Sequence, residues 1–121
     1  MGRYSELIDR ASKQYIPLSM LFEVTHRCNL GCVHCYLPEG PWGRPKSPRS
    51  ELTLDEIAGI LDQLVDAGCM FITLSGGEVM VRRDFFDISE YAKKKVFFLR
   101  IFTNGIGLNE ERIKRLAKIG P

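Results

Sequence analysis

The sequence predicts an α/β fold in which three short strands run parallel and each is followed by a helix. Three observations carry that prediction. Apolar runs of strand length occur at residues 18–25, 70–74 and 96–102. Stretches with apolar residues every three or four positions follow each of them, and capping or turn residues mark most of the joints. Right-handed helical crossovers between parallel strands are the economical arrangement for this alternation, as in barrels and in open α/β sheets.

Residues 4–15 carry Leu7, Ile8 and Ala11 at helical spacing and predict a short amphipathic lead-in helix closed by Pro17. Residues 18–25 alternate large apolar side chains with others at period two, which predicts the first strand. Residues 37–50 hold Pro38, Pro41, Pro45 and Pro48 with Gly40 and Gly43, a composition that sustains neither helix nor central strand and predicts a long loop. Trp42 in that loop reads as a hydrophobic anchor, with a lid contact as the alternative.

Thr53-Leu54-Asp55-Glu56 has the form of a capping box, and Leu54, Ile57, Ile60, Leu61, Leu64 and Val65 continue one apolar stripe towards Gly68. The run 70–74 is almost wholly apolar, as suits a strand buried on both faces of a parallel sheet, and Ser75-Gly76-Gly77-Glu78 follows it. Asp84 is placed to cap a helix through Lys95 with Phe85, Ile88, Tyr91 and Ala92 on its buried face. After the third strand come the turn Thr103-Asn104-Gly105 and a last helix capped by Asn109. Its expected inner side is Ile113, Leu116 and Ala117, and Gly120 ends it.

With 121 residues, 45% hydrophobic and 26% charged, the chain has the composition of one folded domain at most. Its formal charge of +2 is spread thinly, with Lys93-Lys94-Lys95 as the one tight run, read as the solvated end of a helix; nucleic acid is not an expected partner. No stretch approaches the roughly 20 apolar residues of a membrane span, and no leader-like segment is evident, so a cytoplasmic location is expected. A reducing compartment disfavours disulfides and makes clustered thiols metal ligands or redox groups.

Cys28, Cys32 and Cys35 place three soft ligands within eight residues. Thiolates favour iron–sulfur clusters, zinc or copper(I), and the spacing C-x3-C-x2-C differs from paired zinc knuckles and from ferredoxin runs. Three cysteines on a four-iron cluster leave the fourth iron open to a small molecule. A zinc site completed by His26 or His34 is the competing reading. Cys69, among apolar neighbours, reads as a core residue. His26 reads as structural or solvent-facing, or as a hydrogen-bonding neighbour of a cluster. Arg27 either faces such a cluster or points to water. The strand-end turns gather on one side of a parallel sheet, where ligands bind. Adjacent glycines allow close approach of a ligand to the main chain, and the carboxylate of Glu78 beside them can attract an ammonium group. The same run also reads as a plain strand-to-helix turn.

The cysteine motif, with the aromatic His34 before its last cysteine, resembles the signature of the radical S-adenosylmethionine (radical SAM) enzymes. The resemblance implies that Cys28, Cys32 and Cys35 hold a [4Fe–4S] cluster, that S-adenosylmethionine chelates the open iron, and that His34 lies near its adenine. It further implies that Gly76, Gly77 and Glu78 contact the cofactor's amino group and that Asn104 lines the same site, although Val79 stands where the family often has proline. It implies reductive cleavage of the cofactor to a 5′-deoxyadenosyl radical that takes hydrogen from a substrate, with electrons from a flavodoxin-like or ferredoxin-like donor.

The resemblance also implies a fold of six strand–helix units forming a partial (β/α)6 TIM-like barrel, of which three are present. Residues 1–17 are then a lead-in and residues 18–121 the N-terminal half of the core domain, a truncated piece. The Pro-rich loop and the lead-in Ile16-Pro17-Leu18-Ser19 are similar to the subgroup that matures peptides or builds cofactors, so a peptide or small-molecule precursor is the expected substrate. The alternative is a zinc or iron–sulfur binding fragment without turnover. A three-stranded half-barrel exposes a strand edge, so low stability or self-association is expected of the isolated chain.

Overall fold

The computed structural model describes residues 2–37, 50–96 and 98–121. Its elements in chain order are α1 (Arg3–Lys13), β1 (Ser19–Thr25), α2 (Leu54–Asp66), β2 (Phe71–Gly76), α3 (Phe85–Lys95), β3 (Phe98–Ile101) and α4 (Glu110–Ile119), with a 3-10 turn at Val79–Val81 between β2 and α3. The three strands form a single sheet in the order β1-β2-β3, and both pairings are parallel. The α/β alternation and parallel pairing expected from the sequence are therefore present. Predicted features in the stretch 38–49, Trp42 among them, lie outside the described residues.

Helix α2 starts where its capping box places it. Thr53 Oγ1 accepts from the Glu56 N–H (3.3 Å) and the Glu56 carboxylate accepts from the Thr53 N–H (2.8 Å), so two otherwise orphaned donors are satisfied reciprocally. Gly68, at φ 98°, ends the helix as expected. Asn109 likewise caps α4 by accepting from the Arg112 N–H at 2.9 Å.

Asp84 is the exception among the expected caps. It stands at the head of α3, but its carboxylate makes no cap bond; both oxygens accept from Arg82, at 2.9 and 2.8 Å. A charge-assisted pair with a guanidinium outcompetes a backbone N–H for the same oxygens. Burial of the apolar stripe on α4 also differs from expectation, since Ile113 and Ala117 are exposed, Leu116 is half-buried and Ile119 is buried. Helix α1 forms, yet Ala11 is its one buried residue among those described.

Alternation along the strands sorts the sheet into two faces. Phe22, Val24, Ile72, Leu74, Leu99 and Ile101 share the face covered by helices and join Ile57, Leu61, Phe85, Ile88 and Ala92 in one core. Burial of each large apolar side chain contributes about 1.5–3 kcal/mol, which makes the α2–α3 layer the main fastening of the sheet. The other face presents Leu21, Glu23, Phe71, Thr73, Ser75, Phe98 and Arg100, with Phe71 and Phe98 stacked at 4.7 Å across paired positions. Cys69 lies in the core as expected, and burial pushes its thiol up. Lys95 departs from a purely solvated role by pairing with Asp62 at 2.9 Å.

Candidate functional site

Because the strands are parallel, the segments leaving β1, β2 and β3 emerge at the same end of the sheet. Backbone contact joins the first two. The Gly77 N–H donates to the Thr25 carbonyl oxygen and the Glu78 N–H to that of Arg27, both at 2.8 Å. A methyl group on Gly76 would lie 2.0 Å from the Thr25 carbonyl oxygen, and one on Gly77 would lie 2.3 Å from that of Arg27. The two glycines are thus required by the close approach of the β2 exit to the β1 exit, whatever else the turn does.

Glu78 joins the second segment to the third. Its side chain is 1% exposed, and its carboxylate accepts from the Met80 N–H (2.9 Å), the Thr103 hydroxyl (2.7 Å) and the Asn104 N–H (2.6 Å). These donors engage the oxygens that sequence reasoning had offered to an ammonium group. Val79, in the position where the resemblance leads one to expect proline, is fully buried and opens the 3-10 turn. Asn104 closes the circuit: its side-chain amide donates to Asn29 Oδ1 at 2.8 Å, tying the third turn to the cysteine loop.

The cysteine loop itself is open. Cys28 and Cys35 are half-buried, Cys32 and His34 are exposed, and Val33 is 94% exposed. The Leu30 N–H points to the Cys28 sulfur at 3.4 Å. All four cysteines are among the described residues, and no disulfide joins them. Among the described residues no three His, Cys, Asp or Glu side chains are gathered as a single metal ion requires. Three soft donors on an open loop fit a multi-iron cluster, in which each thiolate takes its own iron, better than one tetrahedral ion.

Both ends of the loop are fastened. After it, Leu37 is buried; Tyr36 is largely exposed, but partial burial, with the Glu23 carboxylate adding to it, pushes its phenol pKa up. Before it, Arg27 does not point to water: it donates to both oxygens of Glu51, at 2.8 and 3.0 Å. Burial works to raise the Glu51 carboxyl, but hydrogen bonds from Arg27 and Thr25 and the charges of Arg27 and Arg82 outweigh it and hold the pKa below the usual range. His26 Nε2 lies 3.3 Å from Glu23 Oε2. Sequence reasoning missed Glu51, Arg82 and Tyr36, and no local spacing could have linked positions so far apart along the chain.

Comparison with known proteins places these residues in context. The model of the Radical SAM superfamily matches residues 22–121. The chain is 36% identical over 104 residues to a PqqA peptide cyclase of Rhizobium meliloti (strain 1021), covering 86% of this chain and 27% of that protein. It is 34% identical over 101 residues to the mycofactocin maturase MftC of Mycobacterium ulcerans (strain Agy99), covering 84% and 26%. It is also 34% identical over 109 residues to an Fe-coproporphyrin III synthase of Methanosarcina barkeri (strain Fusaro / DSM 804), covering 90% and 26%. The chain therefore spans about a quarter of the length of these relatives. No helix among the described residues is long and apolar enough to cross a membrane.

Proposed function

The chain belongs to the radical SAM superfamily, whose members use a four-iron cluster and S-adenosylmethionine, and from that premise we propose that it carries the cluster-binding half of such an enzyme's active site. Cys28, Cys32 and Cys35 would hold the cluster and leave one iron to the cofactor, His34 would serve its adenine, and Gly76, Gly77, Glu78 and Asn104 its methionine end. Such a cluster, bound there and reduced by an electron donor, would supply one-electron cleavage of S-adenosylmethionine and, through it, hydrogen abstraction from the substrate.

The observation that supports this reading is the hydrogen-bonded circuit joining the three strand exits: Gly77 and Glu78 to the β1 exit, Glu78 to residues 103 and 104, and Asn104 to Asn29. It holds the glycine turn and the cysteine loop side by side without any ligand. The Gly77 and Glu78 N–H groups are turned to β1, so carbonyl oxygens of the turn are what this reading offers an ammonium group. Glu78 sets the shape of the turn through its own three bonds and adds negative charge behind it.

In this reading the three-stranded sheet is the first half of a (β/α)6 barrel that residues 18–121 begin, and its open face lines the interior. The substrate is a peptide or cofactor precursor, by likeness to the cyclase, maturase and synthase above, and a flavodoxin-like or ferredoxin-like protein delivers the electrons. The test is anaerobic reconstitution of the full chain, with iron and sulfide assay and electron paramagnetic resonance of the reduced sample. About four irons per chain and a spectrum altered by S-adenosylmethionine are expected. Zinc without sulfide would instead establish the non-catalytic alternative.

A further inference from the structure

Three chain segments meet beside the first cysteine in a network of two cations and two anions. Arg27 is doubly bonded to Glu51, at 2.8 and 3.0 Å, and reaches the Val81 carbonyl oxygen at 3.4 Å. The Thr25 hydroxyl donates to Glu51 Oε1 and itself accepts from the Arg27 N–H at 3.1 Å. Behind them Arg82, 5% exposed, donates to the Val24 and Leu52 carbonyl oxygens at 2.7 and 3.0 Å and pairs with Asp84 at 2.8 Å; its Nη1 lies 3.9 Å from Glu51. Glu51 stands two residues ahead of Thr53, whose capping box anchors it to α2.

We propose that Glu51 is a positioning residue for the cysteine loop: by clamping Arg27 and Thr25 to the head of α2 it fixes the point from which Cys28 departs, and by neutralising Arg27 it sets the charge that an iron–sulfur group on that loop experiences. This inference rests on the proposed function. The reasoning is geometric and electrostatic. A two-point guanidinium–carboxylate pair fixes orientation as well as distance, and a single point charge does not. Partners one shell beyond the ligands orient them and tune the bound group. Reduction adds negative charge to an anionic cluster, so an unmasked cation at residue 27 favours it and an unmasked anion at residue 51 opposes it.

The experiment compares wild type, Glu51→Gln, Arg27→Gln and the double variant in the full chain, reconstituted anaerobically. It reads iron and sulfide retained and the midpoint potential of the cluster in a spectroscopic redox titration. Each single variant is expected to retain the cluster about 10-fold to 100-fold less tightly. The potential is expected to rise in Glu51→Gln, to fall in Arg27→Gln and to return towards wild type in the double variant. Glu51→Asp keeps the charge on a shorter arm and is expected to keep the potential while weakening retention, and it carries the test if Glu51→Gln does not fold. A wild type that takes up cluster beside a Glu51→Gln or Glu51→Asp chain of unchanged retention overturns this inference alone, as do single variants whose potentials move in the same direction. A wild type that takes up no iron and sulfide overturns the proposed function and this inference with it.

Discussion

The turn at residues 76–78 and the loop at residues 28–35 sit side by side at one end of the sheet, yet they are built in opposite ways. The turn is finished: its glycines have no room for a methyl group, and Glu78 is buried with three donors on its carboxylate. The loop is fastened at both ends, by Arg27 and by the buried Leu37, but open at its centre, where Cys32, Val33 and His34 are exposed. On the proposed function, the difference separates two tasks. Segments that position a ligand are held by the protein's own bonds, and a segment that wraps a metal group is left for that group to complete, since its binding energy also orders the ligands.

Substitutions that test the finished half are expected to be the most damaging. Gly76→Ala places a methyl group 2.0 Å from a backbone oxygen at a residue with φ 144°. Backbone must move in response, and a loss of roughly 3 kcal/mol or more in a urea melt of the apo-protein is expected. An unchanged melt would mean that the β1 and β2 exits are not in contact. Glu78→Ala comes next. It leaves the Met80 and Asn104 N–H groups without their acceptor, at about 1–3 kcal/mol for each that water does not reach, and amide exchange at both residues is expected to accelerate. Protection that survives the substitution would show that the carboxylate does not join the two turns.

A smaller effect is expected from acid. Hydrogen bonding with Arg82 and its charge hold the Asp84 carboxyl below the usual carboxylate range. A group depressed in the folded state contributes stability above its unfolded pKa and loses it as the pH falls through the folded one. The pair is therefore fully effective at neutral pH and fades below about pH 4. Its contribution is on the order of 1 kcal/mol, and Asp84→Asn should flatten that part of the stability-versus-pH profile. An acid limb unaffected by Asp84→Asn would assign it to other carboxylates.

The least effect on the apo fold belongs to the open half. Cys32→Ser, at an exposed position, is expected to leave the apo melt within about 0.5 kcal/mol while abolishing uptake of a full cluster. If the melt drops as far as in Gly76→Ala, the loop is as finished as the turn and the contrast fails.

Much of the fold was legible because its signals are local. Thr53 and Glu56 form a capping box only three residues apart, and the apolar run at 70–74 marks the central strand by itself. The third strand, expected over 96–102, is shorter at Phe98–Ile101, because Val96 ends α3. The cysteine motif was legible for the same reason, being three cysteines in eight residues. The clamp on Arg27 was not legible, because its partner lies 24 residues away and a lone Glu51 resembles any surface carboxylate. Asp84 looked like a cap because Asp favours helix starts; its stronger partner, Arg82, is only two residues away, but the distant Val24 and Leu52 carbonyl oxygens help hold that guanidinium in place.

What the sequence determined by itself, then, is whatever depends on neighbours along the chain: element type, most helix caps and the spacing of the three cysteines. Tertiary structure decided what depends on neighbours in space. It set Gly76 and Gly77 against the β1 exit, gave the Glu78 carboxylate to residues 80, 103 and 104, and placed Glu51 on Arg27. The physical reason is that hydrogen bonds and ion pairs act over a few ångströms, and the parallel crossovers of the sheet, more than the order of residues, bring these groups within that range.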